Sequence, residues 1–155
     1  MILEELQGLV SEITRPLVGR NLDTTLEAWL NEKLPPASAM YRATFDACKA
    51  GVGAGLICNR EAGGIKFERI IKPSDATNGF SVDVVEMEDI VGRHHVHPNG
   101  EIDLIMPLSP KATFDDHDAG WCVYAPGSAH SPTVRNGRAF ALYLLPGGAI
   151  QSTKR

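Results

Sequence analysis

The feature that most constrains the fold of this chain is the run of short apolar segments that follows Gly55. Residues that favour turns separate these segments, and EAGG between the first two predicts a hairpin. Such spacing is typical of the strands of a small all-β sandwich or barrel. The predicted strands are GLICNR, IKFERIIKP, FSVDVVEM, RHHVH, EIDLIMPL, GWCVYA and AFALYLLP.

The first 50 residues follow a helical pattern instead. Apolar residues recur at helical spacing over residues 2–15, until Pro16 removes a backbone donor and interrupts them. Thr24 and Glu27 have the spacing of a capping box, which predicts the start of a second helix. Ser38 is expected to cap a third helix that runs to about residue 49 and ends before the glycine-rich GVGAG.

These two patterns predict a mostly β protein that forms one domain over residues 1–155, because 155 residues suit a single core. Residues 1–50 form its helical N-terminal segment, and residues 55–150 form its β-barrel. The helices are expected to pack on the outside of the barrel or against a partner subunit.

Charge and composition exclude several classes of function. Fifteen basic and nineteen acidic residues give a net charge of −4, which offers no electrostatic footprint for nucleic acid or an anionic membrane. The opening MILEELQGLV is acidic where a secretory signal is basic. Three scattered cysteines, Cys48, Cys58 and Cys122, indicate buried thiols in a reducing compartment. We therefore expect a soluble cytoplasmic protein.

The histidines point to the chemistry, since all five lie between His94 and His130. His95 and His97 share one face of a predicted strand, because side chains alternate along a strand. The turn PNG would bring Glu101 beside them, and His130 follows a second turn, PGS. Three imidazoles and one carboxylate make a site for a divalent transition metal. Iron, manganese, nickel, cobalt and zinc all remain possible from the ligand types.

With these residues the sequence resembles the cupin superfamily, whose first motif is H-x-H followed by glutamate. The second motif has a glycine, a proline-glycine turn and a histidine, here Gly120, Pro126, Gly127 and His130. The resemblance implies a cupin-type β-barrel, or jelly roll, in which His95, His97, Glu101 and His130 hold the metal. It also implies a homodimer, because cupins commonly pair through their outer strands.

Some positions differ from the cupin pattern. Asp89 and Leu108 replace the glycines that flank the first motif, and the second motif is one residue short before His130. His94 and His117 are therefore alternative ligands. The three aspartates around His117 also fit a polar turn between strands.

A narrower resemblance covers most of the chain. It rests on the segments LPPASAMY, REAGGIKFERIIKPS, GFSVDVVEMEDIVG, HPNGEIDLIMPL and GWCVYAPGSAHSPTV. These segments are similar to the family of 4-hydroxylaminobenzoate lyases. The resemblance implies a lyase that converts 4-hydroxylaminobenzoate, or a related hydroxylamino-aromatic acid, to 3,4-dihydroxybenzoate with release of ammonia.

Two further residues are candidates for substrate binding and catalysis. Arg93 shares strand parity with His95, so its guanidinium could bind the carboxylate of an aromatic acid, or it could lie on the surface. Asp103 shares parity with Glu101 on an otherwise apolar strand. It could orient a ligand histidine or act as a general base, or it could simply pair with an arginine or a backbone amide.

Two other functions remain open besides the lyase. A cupin dioxygenase would act on an aromatic or small organic acid with Fe(II) and O₂, and a non-catalytic cupin would only bind a small molecule. Oxygen uptake separates the first from the lyase, and the absence of turnover separates the second.

Overall fold

The computed structural model describes residues 2–153, in which the α-helices all precede the strands and a short 3-10 helix, Asp75–Thr77, lies between the second and third strands. The helices are α1 (Ile2–Thr14), α2 (Thr24–Lys33) and α3 (Ala39–Gly53). The strands are β1 (Arg60–Ala62), β2 (Ile65–Ile71), β3 (Phe80–Val91), β4 (His95–His97), β5 (Glu101–Pro107), β6 (Thr113–Phe114), β7 (Gly120–Tyr124), β8 (Ser128–His130), β9 (Thr133–Pro146) and β10 (Gln151–Ser152). This order confirms the predicted mostly β class with a helical N-terminal segment.

The helices begin and end near the expected signals. α1 ends before Pro16, which lies in a short 3-10 turn. Ser38 caps α3, since its hydroxyl accepts a hydrogen bond from the backbone N–H of Tyr41 at 3.2 Å. Among the described residues, none of the helices is both long and apolar enough to span a lipid bilayer.

The chain between α3 and the first hairpin differs from the prediction. α3 continues to Gly53, so the glycine-rich segment forms the last helical turn as well as its end. Of the predicted strand GLICNR only Arg60 lies in a strand, because β1 covers Arg60–Ala62 and so includes the first two residues of the predicted turn EAGG. β1 still pairs with β2 around the predicted turn, so the hairpin is confirmed.

The cap of α2 is a correction to the sequence analysis. Asp23, and not Thr24, is the N-cap, because its Oδ1 accepts a hydrogen bond from the N–H of Leu26 at 2.9 Å. Glu27 does not close a capping box with Thr24. Its carboxylate accepts a hydrogen bond from the N–H of Val123 at 2.8 Å, so a tertiary contact takes the place of the local one.

The strands form two antiparallel sheets that are not joined into a closed barrel. The larger sheet has the order β1-β2-β3-β9-β5-β7, with β6 also paired to β9. The smaller sheet has the order β10-β4-β8. The arrangement is a jelly-roll-like version of the predicted barrel, with its two sheets left open.

Helix α2 covers the edge of the larger sheet at β7. The side-chain amide of Asn31 accepts a hydrogen bond from the N–H of Trp121 and donates one to its carbonyl, each at 2.9 Å. The indole N–H of Trp121 donates to the carbonyl of Leu34 at 2.9 Å. These bonds satisfy backbone groups that an edge strand would otherwise expose to pairing with another chain.

Alternate residues of the central strands face opposite sides of the larger sheet. On β5, Ile102, Leu104 and Met106 belong to the same buried apolar cluster as the inward side chains of the helices. Glu101 and Asp103 therefore face the other side, and both are fully buried. The helices cover one face of the sheet and leave the opposite face to carry polar residues.

The cap of α2 leads to a testable difference between two neighbouring residues. Asp23→Ala should lower the free energy of unfolding by about 1 kcal/mol, because it leaves the N–H of Leu26 without its acceptor. The matched variant Thr24→Ala should change it by less than about 0.5 kcal/mol, since Thr24 is exposed. Urea unfolding of both variants measures the two values. An equal or larger loss for Thr24→Ala would contradict the assignment.

Candidate metal centre

A tight turn brings the first three residues of the candidate site together. His95 and His97 lie on β4, and Glu101 begins β5 directly after the turn. Gly100 makes this return possible, because its φ of +84° is in the left-handed region. A Cβ atom there would lie 2.7 Å from Leu22 Cδ2 and 2.8 Å from the carbonyl oxygen of Tyr124.

Strand pairing adds the fourth residue. β8 lies antiparallel to β4 with His130 directly opposite His95, so the second predicted turn returns the chain to the first motif. One potential ligand atom from each of His95, His97, Glu101 and His130 lies within 4.8 Å of the others. These are the four ligand residues expected from the sequence, and the structure brings them into one cluster.

The cluster is closely spaced and buried. His97 Nε2 lies 3.3 Å from Glu101 Oε2, and His130 Nε2 lies 3.8 Å from the same oxygen. His95 Nε2 lies 3.9 Å from Glu101 Oε1 and 3.2 Å from His130 Nε2. The His130 side chain is the most exposed of the four, at 13%.

The outer nitrogens of the histidines contact other groups. Nδ1 of His95 lies 3.3 Å from the carbonyl oxygen of Arg93, and Nδ1 of His130 lies 2.5 Å from Asp115 Oδ2. A carbonyl and an ionised carboxylate only accept, so in both rings Nδ1 carries the hydrogen and Nε2 carries a lone pair. Nδ1 of His97 contacts the Ser128 hydroxyl at 3.1 Å.

This arrangement leaves buried polar atoms without favourable partners. The Nε2 lone pairs of His95 and His130 face each other, which is repulsive without a positive charge between them. Within residues 2–153, His97 Nε2 and both carboxylate oxygens of Glu101 have no hydrogen-bond partner. Neutral imidazole nitrogens and a carboxylate are the ligands that divalent transition metals bind. The donor set therefore fits such an ion, although it does not select one metal.

The ionisation of the cluster also favours a cation. Burial lowers the pKa of His95 to about 4, although Glu101 opposes the shift, so the ring is neutral at pH 7. Burial raises the pKa of Glu101, but neighbouring groups, His97 foremost, outweigh it and hold the pKa below its usual value. The cluster therefore combines the neutral ring of His95 with the negative charge of Glu101.

Asp103 lies next to this cluster rather than in it. Its side chain is fully buried on the same face of β5 as Glu101, and neither of its oxygens has a hydrogen-bond partner in the described chain. Burial, followed by the charge of Glu101, raises its pKa well above the usual value. Register places it opposite Cys122 on β7 and Tyr143 on β9.

The two alternative histidines lie elsewhere. His94 Nδ1 contacts the Thr153 hydroxyl at 2.5 Å, and His117 is exposed in the turn that follows β6. Neither belongs to the cluster of potential ligands found among the described residues.

In the loop FDDHDAG, residues 114–120, the sequence drew attention to His117, as an alternative ligand or as part of a polar turn, and Asp115 was missed. This residue hydrogen-bonds to His130 and also accepts from the hydroxyl of Tyr124 at 2.7 Å. Burial raises the pKa of its carboxyl group, but these two hydrogen bonds outweigh burial and lower the pKa below its usual value. The aspartates beside His117 were the available signal, but nothing in their spacing shows which one returns to His130.

A cavity of about 300 Å³ opens beside the cluster, at the small end of the range for small-molecule sites. His95 and Arg93 both line it, and Arg93 is exposed. Its apolar wall includes Ile65, Phe67, Val85, Met87, Pro132, Tyr143 and Ile150. A second arginine in the lining, Arg69, is paired with Asp83 through Nε and Oδ1 at 2.8 Å. The space can hold a flat apolar ring next to the cluster.

Comparisons with known proteins agree with this architecture. A protein of Nocardioides sp. (strain LMS-CY) named 4-hydroxylaminobenzoate lyase is 34% identical over 143 residues, which cover 86% of this chain and 85% of that protein. One of the same name from Pseudomonas putida is 31% identical and covers 95% and 93% of the two chains. A solved structure of the DMSP lyases RdDddP and RnDddQII has a TM-score of 0.50 at 13% identity, over 99% of this chain and 98% of that one, which concerns the fold alone.

A family model described as "PnbB: 4-hydroxylaminobenzoate lyase" matches residues 8–152. This match includes the whole β4–β8 cluster and the cavity beside it. Both relatives are named as an enzyme. The matched residues cover 85% and 93% of their lengths. By this match and by these identities, the chain belongs to the 4-hydroxylaminobenzoate lyase family.

Proposed function

We propose that this protein is a metal-dependent lyase that converts 4-hydroxylaminobenzoate, or a related hydroxylamino-aromatic acid, to 3,4-dihydroxybenzoate and ammonia. The observation that carries the proposal is the buried convergence of three imidazoles on Glu101, beside a cavity with a largely apolar wall. The names of the two curated relatives support this choice of substrate.

The overall reaction balances without an external oxidant. One molecule of 4-hydroxylaminobenzoate and one of water contain the atoms of one 3,4-dihydroxybenzoate and one ammonia. The N–O bond of the hydroxylamine holds the oxidising equivalent that the ring receives. The proposed reaction therefore needs water but no O₂, which distinguishes it from a dioxygenase.

His95, His97, Glu101 and His130 would hold the divalent ion. When bound, the ion would act as a Lewis acid toward the hydroxylamino oxygen. Three neutral imidazoles and one carboxylate leave a divalent site with a net charge of +1, which attracts an anionic or electron-rich oxygen. The buried walls around His97 and Glu101 keep bulk water away from these donors.

Arg93 is the proposed partner of the substrate carboxylate. It lines the cavity together with His95, and no ion pair of Arg93 occurs in the part of the chain that is described. Arg69 is already paired with Asp83 and also donates to the carbonyl of Gly148, so its charge is offset. A guanidinium can bind a carboxylate with two parallel hydrogen bonds. Ring and carboxylate together would orient the hydroxylamino group toward His95.

Asp103 is proposed to orient the donors rather than to contact the substrate. It is absent from the lining of the cavity among the described residues, yet it shares the buried face of β5 with Glu101. A residue in that position can restrict how the Glu101 side chain turns, as outer groups commonly do at metal sites.

Metal binding should raise thermal stability in the wild type and fail to do so in cluster variants. A saturating divalent ion, at about one hundred times its Kd, should raise the Tm by about 5 °C or more, because it binds only the folded chain. His97→Ala and Glu101→Ala should remove this rise, while His117→Ala, which changes a histidine outside the cluster, should retain it. Melting curves with Zn²⁺, Mn²⁺ and Co²⁺ measure the shifts. A lost shift in His117→Ala alone would point to a different site.

Turnover should not depend on oxygen. Metal-loaded protein incubated with 4-hydroxylaminobenzoate under strictly anaerobic conditions should release ammonia and 3,4-dihydroxybenzoate in equal amounts, at the aerobic rate. Removal of the ion with a chelator should abolish the reaction, and its return should restore it. Product formation that requires O₂ would favour the dioxygenase, and ligand binding without turnover would favour the binding protein.

Substitution of Arg93 should act mainly on substrate binding. Arg93→Ala should raise KM by about 10- to 100-fold with a smaller effect on kcat, because it removes charge-assisted hydrogen bonds to a group remote from the reacting nitrogen. Arg42→Ala is the control, because it removes an exposed arginine of α3 that is far from Arg93 in the sequence. Steady-state kinetics give both constants. A KM within twofold of the wild type would exclude Arg93 as the carboxylate partner.

A further inference from the structure

In the loop between β6 and β7, Asp115 contacts one residue of the candidate metal centre from outside the cluster. Its Oδ2 accepts hydrogen bonds from His130 Nδ1 at 2.5 Å and from the Tyr124 hydroxyl at 2.7 Å. Its Oδ1 accepts from the backbone N–H of Thr133 at 2.9 Å. Both carboxylate oxygens are therefore engaged, and the side chain is only 18% exposed.

The backbone of Asp115 is held as firmly as its side chain. Its N–H donates to the carbonyl of Thr133 at 2.8 Å, so the residue and the start of β9 are joined in both directions. The backbone has a φ of 48°, in the left-handed region that aspartate tolerates better than most residues. The carboxylate is thus aimed at His130 by contacts that do not involve His130 itself.

His130 needs such a partner more than the other two histidines do. It lies at the end of β8, a strand of only three residues, and is more exposed than His95 or His97. The outer nitrogen of His95 contacts a backbone carbonyl, and that of His97 contacts a hydroxyl. Among the described residues, His130 is the cluster histidine whose outer nitrogen contacts a carboxylate.

We infer that Asp115 is a positioning residue of the metal centre, which fixes His130 in the tautomer that leaves Nε2 free to bind the ion. The inference rests on the metal site of the proposed function and does not depend on the identity of the substrate. A carboxylate can only accept, so it selects the ring with hydrogen on Nδ1. Nε2 then keeps its lone pair, directed toward His95 and Glu101.

This role predicts an unusual order of two substitutions. In Asp115→Asn, the oxygen of the amide can still accept from the N–H of Thr133, which places the NH₂ group against His130. The amide then donates to Nδ1 and moves the ring hydrogen to Nε2, where it blocks a metal ion. Asp115→Ala removes the acceptor but imposes no tautomer. Asp115→Asn, although asparagine is closer in shape to aspartate, should therefore bind metal less well than Asp115→Ala.

The experiment measures the tautomer and metal affinity separately. Two-bond ¹H–¹⁵N spectra of the metal-free protein at pH 8 report which nitrogen of His130 is protonated, with the resonance assigned from His130→Gln. Competition with a chelator gives the Kd for Co²⁺. The control is Asp116→Asn, which removes a neighbouring exposed charge at a similar left-handed φ of 65°.

The expected Kd rises about 10-fold in Asp115→Ala and about 100-fold in Asp115→Asn, with Asp116→Asn within threefold of the wild type. The His130 hydrogen should lie on Nδ1 in the wild type and on Nε2 in Asp115→Asn. A merely structural role predicts the reverse order, with alanine the worse variant, and would overturn the inference. An unchanged tautomer in Asp115→Asn would overturn it as well.

The two measurements also separate this inference from the proposed function. If the wild type binds no Co²⁺ but Asp115→Asn inverts the tautomer, the control of the His130 tautomer by Asp115 stands, whereas its role in a metal centre is overturned together with the metal-dependent function. If circular dichroism shows that Asp115→Asn does not fold, the tautomer of His130 in Asp115→Ala tests the inference instead. A mixture of tautomers in that variant supports the inference, and a ring that keeps its hydrogen on Nδ1 overturns it.

Discussion

The lone pairs of buried imidazole nitrogens, directed at one another and at a buried carboxylate, set the main constraint on this structure. His95 and His130 bring their Nε2 atoms to 3.2 Å, and Glu101 lies beside them without exposure to water. Such a group is unfavourable in an apolar interior unless a positive charge compensates for it. The two turns, the pairing of β4 with β8 and the contacts of each Nδ1 all maintain this arrangement.

The fold supports this site by separating the two faces of its larger sheet. The helices pack on one face and share its apolar cluster, which anchors the central strands. The opposite face is thereby free to carry Glu101 and Asp103 in positions that would be costly in an ordinary core. Because β4 and β8 belong to the smaller sheet, the ligand set draws on both sheets.

Sequence reasoning succeeded where the signal is local and failed where a distant contact decides. Ser38 was identified as a cap from its neighbours alone. The prediction that Thr24 caps α2 was wrong, because Asp23 accepts the capping hydrogen bond and Glu27 accepts one from Val123 of β7. Asp115 was missed because its role depends on the return of His130 on β8, which the sequence of the loop does not encode. The jelly roll was expected from the sequence, but whether its two sheets join depends on pairing between strands far apart in sequence.

The sequence by itself determined the mostly β class, the helical start, the family and the residues of the candidate metal centre, because periodicity, turn residues and short motifs act over a few neighbours. Tertiary structure alone decided how those residues meet, which nitrogen of each ring faces inward and which arginine beside the cavity is paired with a carboxylate. These properties depend on distances between segments such as Arg69 and Asp83, or Asp115 and His130, that no local pattern specifies.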